Sequence, residues 1–318
     1  MQAPESPAEI PFWRRDGFPY FRQSVFLRQR FGGRVQKVSL DGGFTCPNVD
    51  GTVARGGCTF CDNRSFSPSR RLKLRSVADQ LAHGKQKVSE RYGPCRFLAY
   101  FQPATNTYAA LEKLQSLYEI PLADPEVVGL IIGTRPDCVP DEVLDYLDRL
   151  ADGTYVCVEF GMQSMHDASL DWMNRGHHHD AMVEAMQRCR GRKFEVAIHL
   201  ILGLPGETHS MMHQSLDEAI RLGAQTLKLH NLYAVERTRL ADQVRSGQVQ
   251  LMELDEYVPL VVDLLERVPG RVVIERISGE APSRFLVGPA WCRDKPNLQQ
   301  RVLEEFQRRG TYQGIRVD

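Results

Sequence analysis

Six short apolar segments alternate with amphipathic segments along this chain, and no other feature limits its possible folds so strongly. The apolar segments, which we predict to be strands, are residues 35–41, 95–102, 127–134, 155–162, 194–202 and 227–233. The amphipathic segments, which we predict to be helices, lie near residues 76–91, 107–119, 140–151, 179–190, 208–222 and 237–246. Near-continuous apolar strands separated by helices are typical of a parallel sheet covered by helices. Because crossovers between parallel strands are right-handed, we expect either a doubly wound sheet or a barrel.

Polar and glycine-rich segments follow five of these strands. They read DGGFTC, FQPATNTY, GTRPDC, FGMQSMHD and LGLPGET. In a (β/α) barrel such loops converge at the carboxyl ends of the strands, where the active site forms. We therefore predict an α/β barrel core over residues 31–250, with a basic N-terminal extension over residues 1–30. A C-terminal cap over residues 251–318 is predicted to begin with a helix over residues 254–268.

Composition narrows the class of protein further. The 318 residues include 40 Lys and Arg against 40 Asp and Glu, and 42% are apolar, which excludes a disordered or collagen-like chain. No apolar run reaches the roughly 18 residues that cross a membrane. The N-terminus lacks the basic start and apolar core of a secretory signal. We therefore expect a soluble, cytoplasmic protein that does not enter a membrane.

Three of the eight cysteines lie in one loop after the first predicted strand. Their spacing is Cys46-x11-Cys58-x2-Cys61, among Gly, Asn and Asp residues that are typical of a loop. An iron–sulfur cluster, a structural zinc site and a redox Cys-x2-Cys pair are all compatible with three such thiols. A zinc site lacks a nearby fourth ligand, because His83 falls inside a predicted helix. A redox pair leaves Cys46 without a role, so the pattern favours the cluster among the three.

Seven motifs, in order, resemble one known family. They are DGGFTCPNVDGT, GGCTFCDNRSF, FQPATNTY, GTRPDCVPD, EFGMQSMHDASLDWMNRGH, HLILGLPGE and KLH, and they span roughly residues 30–295. In order and in position at the strand ends they resemble the radical S-adenosylmethionine (SAM) superfamily. The cysteine spacing is wider than the usual Cys-x3-Cys-x2-Cys and resembles the elongator catalytic-subunit-like branch, within it the YhcC/YtqA-type bacterial proteins. The resemblance implies a partial (β/α)6 TIM-type barrel of the radical SAM type.

The resemblance also implies a cofactor and a reaction. Cys46, Cys58 and Cys61 would bind a [4Fe–4S] cluster, whose open iron is chelated by the amino and carboxylate groups of SAM. A one-electron donor of the flavodoxin or ferredoxin type would reduce the cluster. Cleavage of SAM would then give methionine and a 5′-deoxyadenosyl radical that removes a hydrogen atom from the substrate. In such an enzyme the protein positions the reacting atoms and excludes water.

The amino-acid end of SAM is expected to meet two parts of the chain. The loop that contains Gln102, Thr105 and Asn106 replaces the glycine-rich stretch that usually holds the methionine ammonium. Arg175, in NRGH, matches the arginine that pairs with the SAM carboxylate, a contact suited to the planar guanidinium group. The alternative for Arg175 is a surface ion pair with Asp171.

The adenosine end of SAM is expected to meet residues from four motifs. Phe60, between the last two cysteines, matches the aromatic residue that packs near the adenine, although a core position is the alternative. Gln163 and Ser164 match the position that hydrogen-bonds the ribose. Backbone groups near Leu202 and His230 would contact the edge of the adenine.

The substrate suggested by the resemblance is a tRNA, because the elongator-like relatives act on the wobble uridine. Residues 1–100 contain 17 Lys and Arg but 8 Asp and Glu, and the remainder carries the opposite excess. Phosphate binding needs such a positive surface. The basic residues in question are Arg14, Arg15, Arg22, Arg28, Arg30, Arg34, Lys37, Arg64, Arg70, Arg71, Lys73 and Arg75.

Two other functions remain compatible with the sequence. The first is a radical SAM enzyme that acts on a small metabolite or a peptide, since the positive charge is explained equally well by an anionic cluster. The second is a non-catalytic scaffold that binds zinc or a cluster and also binds RNA. No acetyltransferase domain is recognised in these 318 residues, so acetyl-CoA chemistry is not expected.

Overall fold

The computed structural model describes residues 12–72 and 76–317. Its main sheet contains seven strands, which are β1 (Val35–Leu40), β2 (Arg96–Phe101), β3 (Val127–Thr134), β4 (Tyr155–Gln163), β5 (Glu195–Leu202), β6 (Thr226–Asn231) and β8 (Val273–Arg276). Strands β7 (Ala234–Val235) and β9 (Leu286–Gly288) form a separate antiparallel pair.

Thirteen α-helices are formed by the described residues. They are α1 (Gln23–Phe31), α2 (Pro47–Asp50), α3 (Asn63–Phe66), α4 (Pro68–Arg71), α5 (Val77–Tyr92), α6 (Leu111–Leu122), α7 (Asp141–Leu150), α8 (Asp167–Trp172), α9 (His179–Cys189), α10 (His209–Arg221), α11 (Arg239–Arg245), α12 (Leu254–Glu266) and α13 (Lys295–Arg309). Short 3-10 helices are found at Phe12–Asp16, Pro136–Cys138 and Ala290–Arg293. No helix in the described ranges is long and apolar enough to cross a membrane.

The seven strands are all parallel, lie in the order β1-β2-β3-β4-β5-β6-β8, and curl into a half-barrel. The α/β half-barrel predicted from the sequence is therefore confirmed. It has one strand more than the six apolar segments suggested. The additional strand, β8, comes from the segment assigned to the C-terminal cap, and it pairs with β6. Its backbone also contacts the N-terminal segment, because Ile274 N donates to the carbonyl oxygen of Phe21 at 2.7 Å.

Helix α7 illustrates how the helices pack on the outer face of the sheet. Its first turn carries Asp141 and Glu142, and acidic side chains are favourable there because of the helix dipole. Val143, Leu144 and Leu147 lie on one face and are buried completely in the main core. This i, i+1, i+4 pattern places them against the sheet, and fully burying each such side chain contributes about 2 kcal/mol.

One predicted helix begins later than its sequence pattern suggested. We predicted a helix near residues 107–119, but α6 begins at Leu111. The preceding residues form hydrogen bonds with β3 instead. Asn106 Nδ2 donates to the carbonyl oxygen of Gly133 at 2.7 Å, and the hydroxyl groups of Thr107 and Thr134 lie 2.5 Å apart. Side-chain bonds of this kind compete with helix formation.

Helix α1 closes the amino end of the half-barrel. Its Leu27 is buried with Leu98, Ile131 and Tyr155, which belong to β2, β3 and β4. These strand residues lie on the face of the sheet opposite to the main core, so they point into the half-barrel. Helix α1, at the end of the N-terminal extension predicted from the sequence, therefore packs into the half-barrel against β2, β3 and β4.

Candidate functional site

A cavity of about 380 Å³ runs from the carboxyl ends of the strands into the half-barrel. A volume of this size is within the range of small-molecule sites. Cys46, Cys58 and Cys61 line its mouth. Its deeper wall is formed by inward-facing strand residues, among them Tyr100, Glu159, Gln163, His199, Lys228, His230 and Arg276.

The cysteine loop is anchored to the connection between β4 and α9. Asn48, completely buried, donates through Nδ2 to the carbonyl oxygens of Asn174 (2.6 Å) and Arg175 (2.8 Å). The backbone N–H of Thr59 donates to the carbonyl oxygen of Met173 at 2.9 Å. Gly176 has φ +73°, and a Cβ there would lie 2.4 Å from Asn48 Oδ1, so this close approach requires glycine.

The three loop thiols differ in exposure but face the same cavity. Cys58 is buried, Cys46 is partly buried and Cys61 is exposed where it lines the cavity. Although the Cys61 side chain opens to the cavity, the protein atoms around its sulfur desolvate it and raise the pKa of its thiol; the thiols of Cys58 and Cys46 raise it further, while Arg175 lowers it. No three His, Cys, Asp or Glu side chains within residues 12–72 and 76–317 are grouped as ligands of a single metal ion.

Arg175 lies beside the cysteine loop rather than on a helix surface. It is 7% exposed, and it donates through Nη1 to Sγ of Cys58 (3.6 Å) and through Nη2 to the carbonyl oxygen of Gly161 (2.9 Å). Its Nε is buried without a hydrogen-bond partner. Asp171 pairs with His178 at 2.9 Å. The alternative prediction for Arg175, a surface ion pair with Asp171, is therefore wrong, since Asp171 has another partner and Arg175 faces the cavity.

The loop after β2 is divided between the cavity and the sheet. Gln102 and Thr105 line the cavity, and Thr105 Oγ1 is buried without a hydrogen-bond partner. Asn106 does not reach the cavity, because its amide group donates to the carbonyl oxygens of Phe101 (3.0 Å) and Gly133. Thr105 is therefore the better placed of the two to accept a bond from a ligand.

Of the residues expected near adenosine, some line the cavity and others lie behind its wall. Phe60, Gln163 and His230 line the cavity. Ser164 lies behind its wall, where Oγ donates to Glu207 Oε1 at 2.5 Å. Leu202 is packed in the main core, and its carbonyl oxygen accepts from the N–H of Leu232 at 2.8 Å.

Gln163 reaches the cavity through an unusual backbone conformation at the end of β4. Its φ is +68°, a region that costs a residue with a side chain of order 1 kcal/mol and is concentrated at functional sites. A Cβ on Gly161 would lie 2.5 Å from Gln163 Nε2 and 2.9 Å from Arg175 Nη2. Gly161 therefore leaves the space that both side chains occupy.

Sequence reasoning missed a buried group of charged residues inside the half-barrel. Lys228 Nζ lies 2.6 Å from Glu159 Oε1 and 2.6 Å from Glu275 Oε1, and Lys37 Nζ lies 2.6 Å from Glu275 Oε2. Lys228 and Glu159 are buried almost completely. The signal was present in the sequence, since single charges interrupt the apolar strands YVCVEFGMQ and TLKLHN.

Lys228 and Glu159 each stabilise the ionised form of the other. Burial alone lowers the pKa of Lys228, but Glu159 and Glu275 outweigh it and raise that pKa. Burial acts in the opposite direction on Glu159, yet Lys228 and Lys37 hold its pKa well below the usual range. Ion pairs buried in this way contribute little net stability, so their position along a cavity points to a role in function.

The basic residues expected to bind RNA fall at opposite ends of the half-barrel. Arg28 and Arg30 belong to α1, and Arg30 lies over the ring of Tyr155 at the start of β4. Arg64, Arg70 and Arg71 follow the cysteine loop at the other end. Only this second group is near the cavity mouth.

Several of these basic residues already have partners. Lys37 pairs with Glu275 inside the half-barrel, so its assignment to a basic surface is wrong. Arg14 and Arg22 lie 3.4 Å from the ring centres of Tyr312 and Phe18. Lys73 and Arg75 lie outside the described residues.

Comparison with known proteins identifies the family. The model of the radical SAM superfamily matches residues 51–219, and the model of the radical SAM C-terminal domain matches residues 224–308. The chain belongs to the radical SAM superfamily. YtqA of Bacillus subtilis is 38% identical over 295 residues, which cover 93% of this chain and 92% of YtqA. The resemblance to this bacterial branch is therefore confirmed.

More distant similarity is found to a tRNA uridine(34) acetyltransferase and to a solved Elp3 structure. The tRNA uridine(34) acetyltransferase of Methanocaldococcus jannaschii is 24% identical over 205 residues, which cover 64% of this chain but 36% of that protein. The solved structure of Methanocaldococcus infernus Elp3, lacking its N-terminus, superposes with a TM-score of 0.66 at 18% identity. The superposition covers 88% of this chain and 64% of the Elp3 chain. Because the sequence identity is low, this similarity shows a shared fold.

Radical SAM superfamily members use a [4Fe–4S] cluster and SAM, and this chain is a radical SAM enzyme. The described residues fit these cofactors. Three thiols line one cavity, and Cys58 Sγ accepts hydrogen bonds from Asn48 Nδ2 (3.5 Å) and Arg175 Nη1 (3.6 Å). Behind them, Thr105 Oγ1 and Arg175 Nε are buried polar atoms without a protein partner. The alternative of a non-catalytic scaffold is set aside.

Proposed function

We propose that Cys46, Cys58 and Cys61 hold the [4Fe–4S] cluster of this enzyme and that the cavity behind them binds SAM. The observation that carries this proposal is the meeting of three thiols and a buried arginine at one mouth, at the carboxyl ends of parallel strands. A redox Cys-x2-Cys pair would not account for Cys46, which lines the same cavity as the other two thiols.

Arg175, Thr105 and Gln163 are the residues we propose for contact with SAM. A buried polar atom without a partner costs about 1–3 kcal/mol, so Arg175 Nε and Thr105 Oγ1 favour a ligand that supplies the missing bonds. Gln163 adds an amide group at the same wall. Asn106, Ser164 and Leu202 act behind this wall by holding the backbone in place.

When bound, the cluster and SAM supply one-electron reductive chemistry that ends in removal of a hydrogen atom from the substrate. The chain contributes position and exclusion of water. Asn48 and Thr59 clamp the cysteine loop to the connection between β4 and α9, and α1 closes the opposite end of the half-barrel. Enclosure of this kind keeps reactive species from side reactions.

We also propose that a one-electron donor of the flavodoxin or ferredoxin type delivers the electron at the cysteine loop. Cys46 and Cys61 are less buried than Cys58, so a cluster on this loop lies close to the surface. Val49 and Val53, 59% and 48% exposed, are apolar residues beside it that a partner protein would cover.

For the substrate, we propose a tRNA modified at the wobble uridine, in the cytoplasm. Two points support this: the similarity to a tRNA uridine(34) acetyltransferase and three basic residues on or just after the cysteine loop, which are the exposed Arg55 beside the cavity-lining Gly56, Arg64 in α3 and Arg71 in α4. The test is the tRNA nucleoside profile of a strain that lacks the gene. A missing or reduced wobble-uridine derivative, restored by the wild-type gene but not by Cys58→Ala, is expected. An unchanged profile would remove the tRNA from the proposal.

The second candidate is a small metabolite, and the charged wall of the cavity favours it. The deeper wall carries ionisable side chains besides the SAM-facing residues, among them Glu159, Lys228, His230 and Arg276, and such groups suit a small polar molecule. SAM cleavage that is stimulated by a metabolite extract but not by tRNA would select this candidate.

A further inference from the structure

The deep wall of the cavity contains one positive charge that the buried ion pairs do not neutralise. Lys37 and Lys228 are matched by Glu159 and Glu275, at the distances given above. Arg276 also lines the cavity, but it makes no hydrogen bond or ion pair with any residue in ranges 12–72 and 76–317. An unpaired guanidinium in a partly desolvated cavity is costly unless an anion joins it.

A β-bulge explains why Arg276 faces the cavity. Leu227 of β6 pairs with Ile274 of β8, but the next residue, Lys228, pairs with Arg276, so Glu275 is an extra residue in β8. A bulge of this type allows two consecutive side chains to face the same side. Glu275 consequently reaches Lys37 and Lys228, while Arg276 enters the cavity next to them.

His230 lies beside Arg276 and also has an unused polar atom. Its Nε2 is buried without a hydrogen-bond partner, and its ring stacks on His199 with centres 5.4 Å apart. Burial, and then Arg276, hold the pKa of His230 well below its usual value, so the ring is neutral at physiological pH. A neutral imidazole can donate one N–H to an oxygen.

We propose that Arg276 and His230 form a binding subsite for an oxyanion, a carboxylate or a phosphate, carried by the molecule that enters this cavity beside SAM. The proposal rests on the proposed function insofar as it takes this cavity as the active site. The guanidinium supplies a planar pair of donors, and the imidazole supplies a third. The oxyanion would then sit against β6 and β8, which leaves the rest of the molecule free to extend toward the cysteine loop.

The SAM carboxylate is a different anion, for which Arg175 is the proposed partner. Arg175 lies at the mouth, within hydrogen-bonding reach of Cys58, whereas Arg276 lies on the wall with Lys228 and His230. The two arginines therefore serve two anions at two positions in the same cavity, Arg175 beside β4 and Arg276 on β8.

Chemical protection tests the subsite without relying on catalysis. Phenylglyoxal modifies accessible, unpaired guanidinium groups, and its rate at Arg276 can be followed by mass spectrometry in the protein with its cluster. Inorganic phosphate or acetate, replacing chloride at constant ionic strength, is expected to slow modification of Arg276 by about threefold or more. Arg271, exposed before the start of β8, is the matched control and should react at the same rate throughout.

The two probes distinguish the sources of the oxyanion. Protection by phosphate alone indicates a phosphate-bearing substrate, and protection by both indicates a carboxylate as well. If neither anion protects Arg276, the subsite does not exist and the proposal is overturned.

A binding measurement separates this subsite from the SAM site. Arg276→Gln should leave the Kd for SAM within about twofold of wild type. If the variant instead binds SAM about tenfold more weakly but binds decarboxylated SAM as the wild type does, Arg276 contacts the SAM carboxylate and the proposal is overturned. Should this variant fail to fold, Arg276→Lys serves the same measurement. Failure of the proposed function would instead show as wild-type protein that releases no 5′-deoxyadenosine, which leaves the protection result unaffected.

Discussion

Arg175 donates a hydrogen bond through Nη1 to Sγ of Cys58 across 3.6 Å, although the two residues are 117 positions apart in the chain. The contact joins the cysteine loop after β1 to the segment after α8. It brings a fixed positive charge to the thiol that is the most buried of the three on the loop. The site therefore depends on how these two segments pack together.

Replacement of Arg175 should weaken SAM binding more than it weakens the cluster. Arg175→Gln removes a charged donor worth about 1.5–3 kcal/mol, so the Kd for SAM should rise about tenfold or more. Iron content should stay near wild type because the three thiols remain. The measurement is equilibrium binding of SAM to reconstituted protein, with Asp171→Asn as control, since Asp171 contacts His178 instead. Unchanged SAM affinity would contradict the role given to Arg175.

Removal of one loop cysteine should abolish the cluster. Cys58→Ala leaves two thiols for a cluster that we propose is held by three, so reconstituted protein should lose most of its iron and release no 5′-deoxyadenosine. Cys95→Ala is the control, because Cys95 packs at the edge of the main core. A Cys58→Ala protein with full iron content would disprove the ligand assignment.

Breaking the buried ion pair should destabilise the fold. Lys228→Met leaves Glu159 buried with weaker compensation from Lys37, 3.8 Å away, and should lower the free energy of unfolding by about 3 kcal/mol. The double variant Lys228→Met with Glu159→Gln should recover part of that loss. Urea unfolding followed by circular dichroism measures both. Equal stability of the wild type and the Lys228→Met variant would mean that the pair does not form.

Stability should fall as the pH decreases below about 6.5. Burial, followed by Arg276, His199 and Lys228, lowers the pKa of His230, while Glu159 acts in the opposite direction. The unfolded chain therefore takes up a proton near the ordinary histidine pKa, about 6.5, whereas the folded chain resists it. His230→Gln should flatten this decrease in thermal stability between pH 7 and pH 5. An unaltered slope would show that His230 does not cause it.

If tRNA binds at the cavity mouth, the basic residues near the cysteine loop should affect tRNA binding, and those on α1 should not. Arg55→Glu combined with Arg64→Glu should weaken tRNA binding and reduce its salt dependence, since each lost phosphate contact lowers the slope of log K against log salt by about one. Arg28→Glu combined with Arg30→Glu, at the amino end of the half-barrel, is the matched control. Equal effects from both pairs would indicate non-specific attraction. Filter binding at several salt concentrations gives the comparison.

Periodicity alone was sufficient to predict most of the strands and helices. Strand β3 has the predicted bounds, and β1, β2, β4 and β5 agree within a residue or two. Buried parallel strands carry this signal because both of their faces are covered, so their sequences are apolar throughout. The short β8, VIER, is only half apolar and pairs at the edge of the sheet, so its sequence did not distinguish it from a cap segment.

The site was predictable only in part, for a physical reason. Cysteine spacing and strand-end motifs are local, and the sequence by itself determined the family, the cofactors and the loop that carries Cys46, Cys58 and Cys61. Which way a side chain points at a strand end depends on packing and register, so only the tertiary structure decided that Thr105 faces the cavity and Asn106 the sheet. It also decided, through a bulge of one residue, that Arg276 enters the cavity, because a shift of one residue moves a side chain from one face of a sheet to the other.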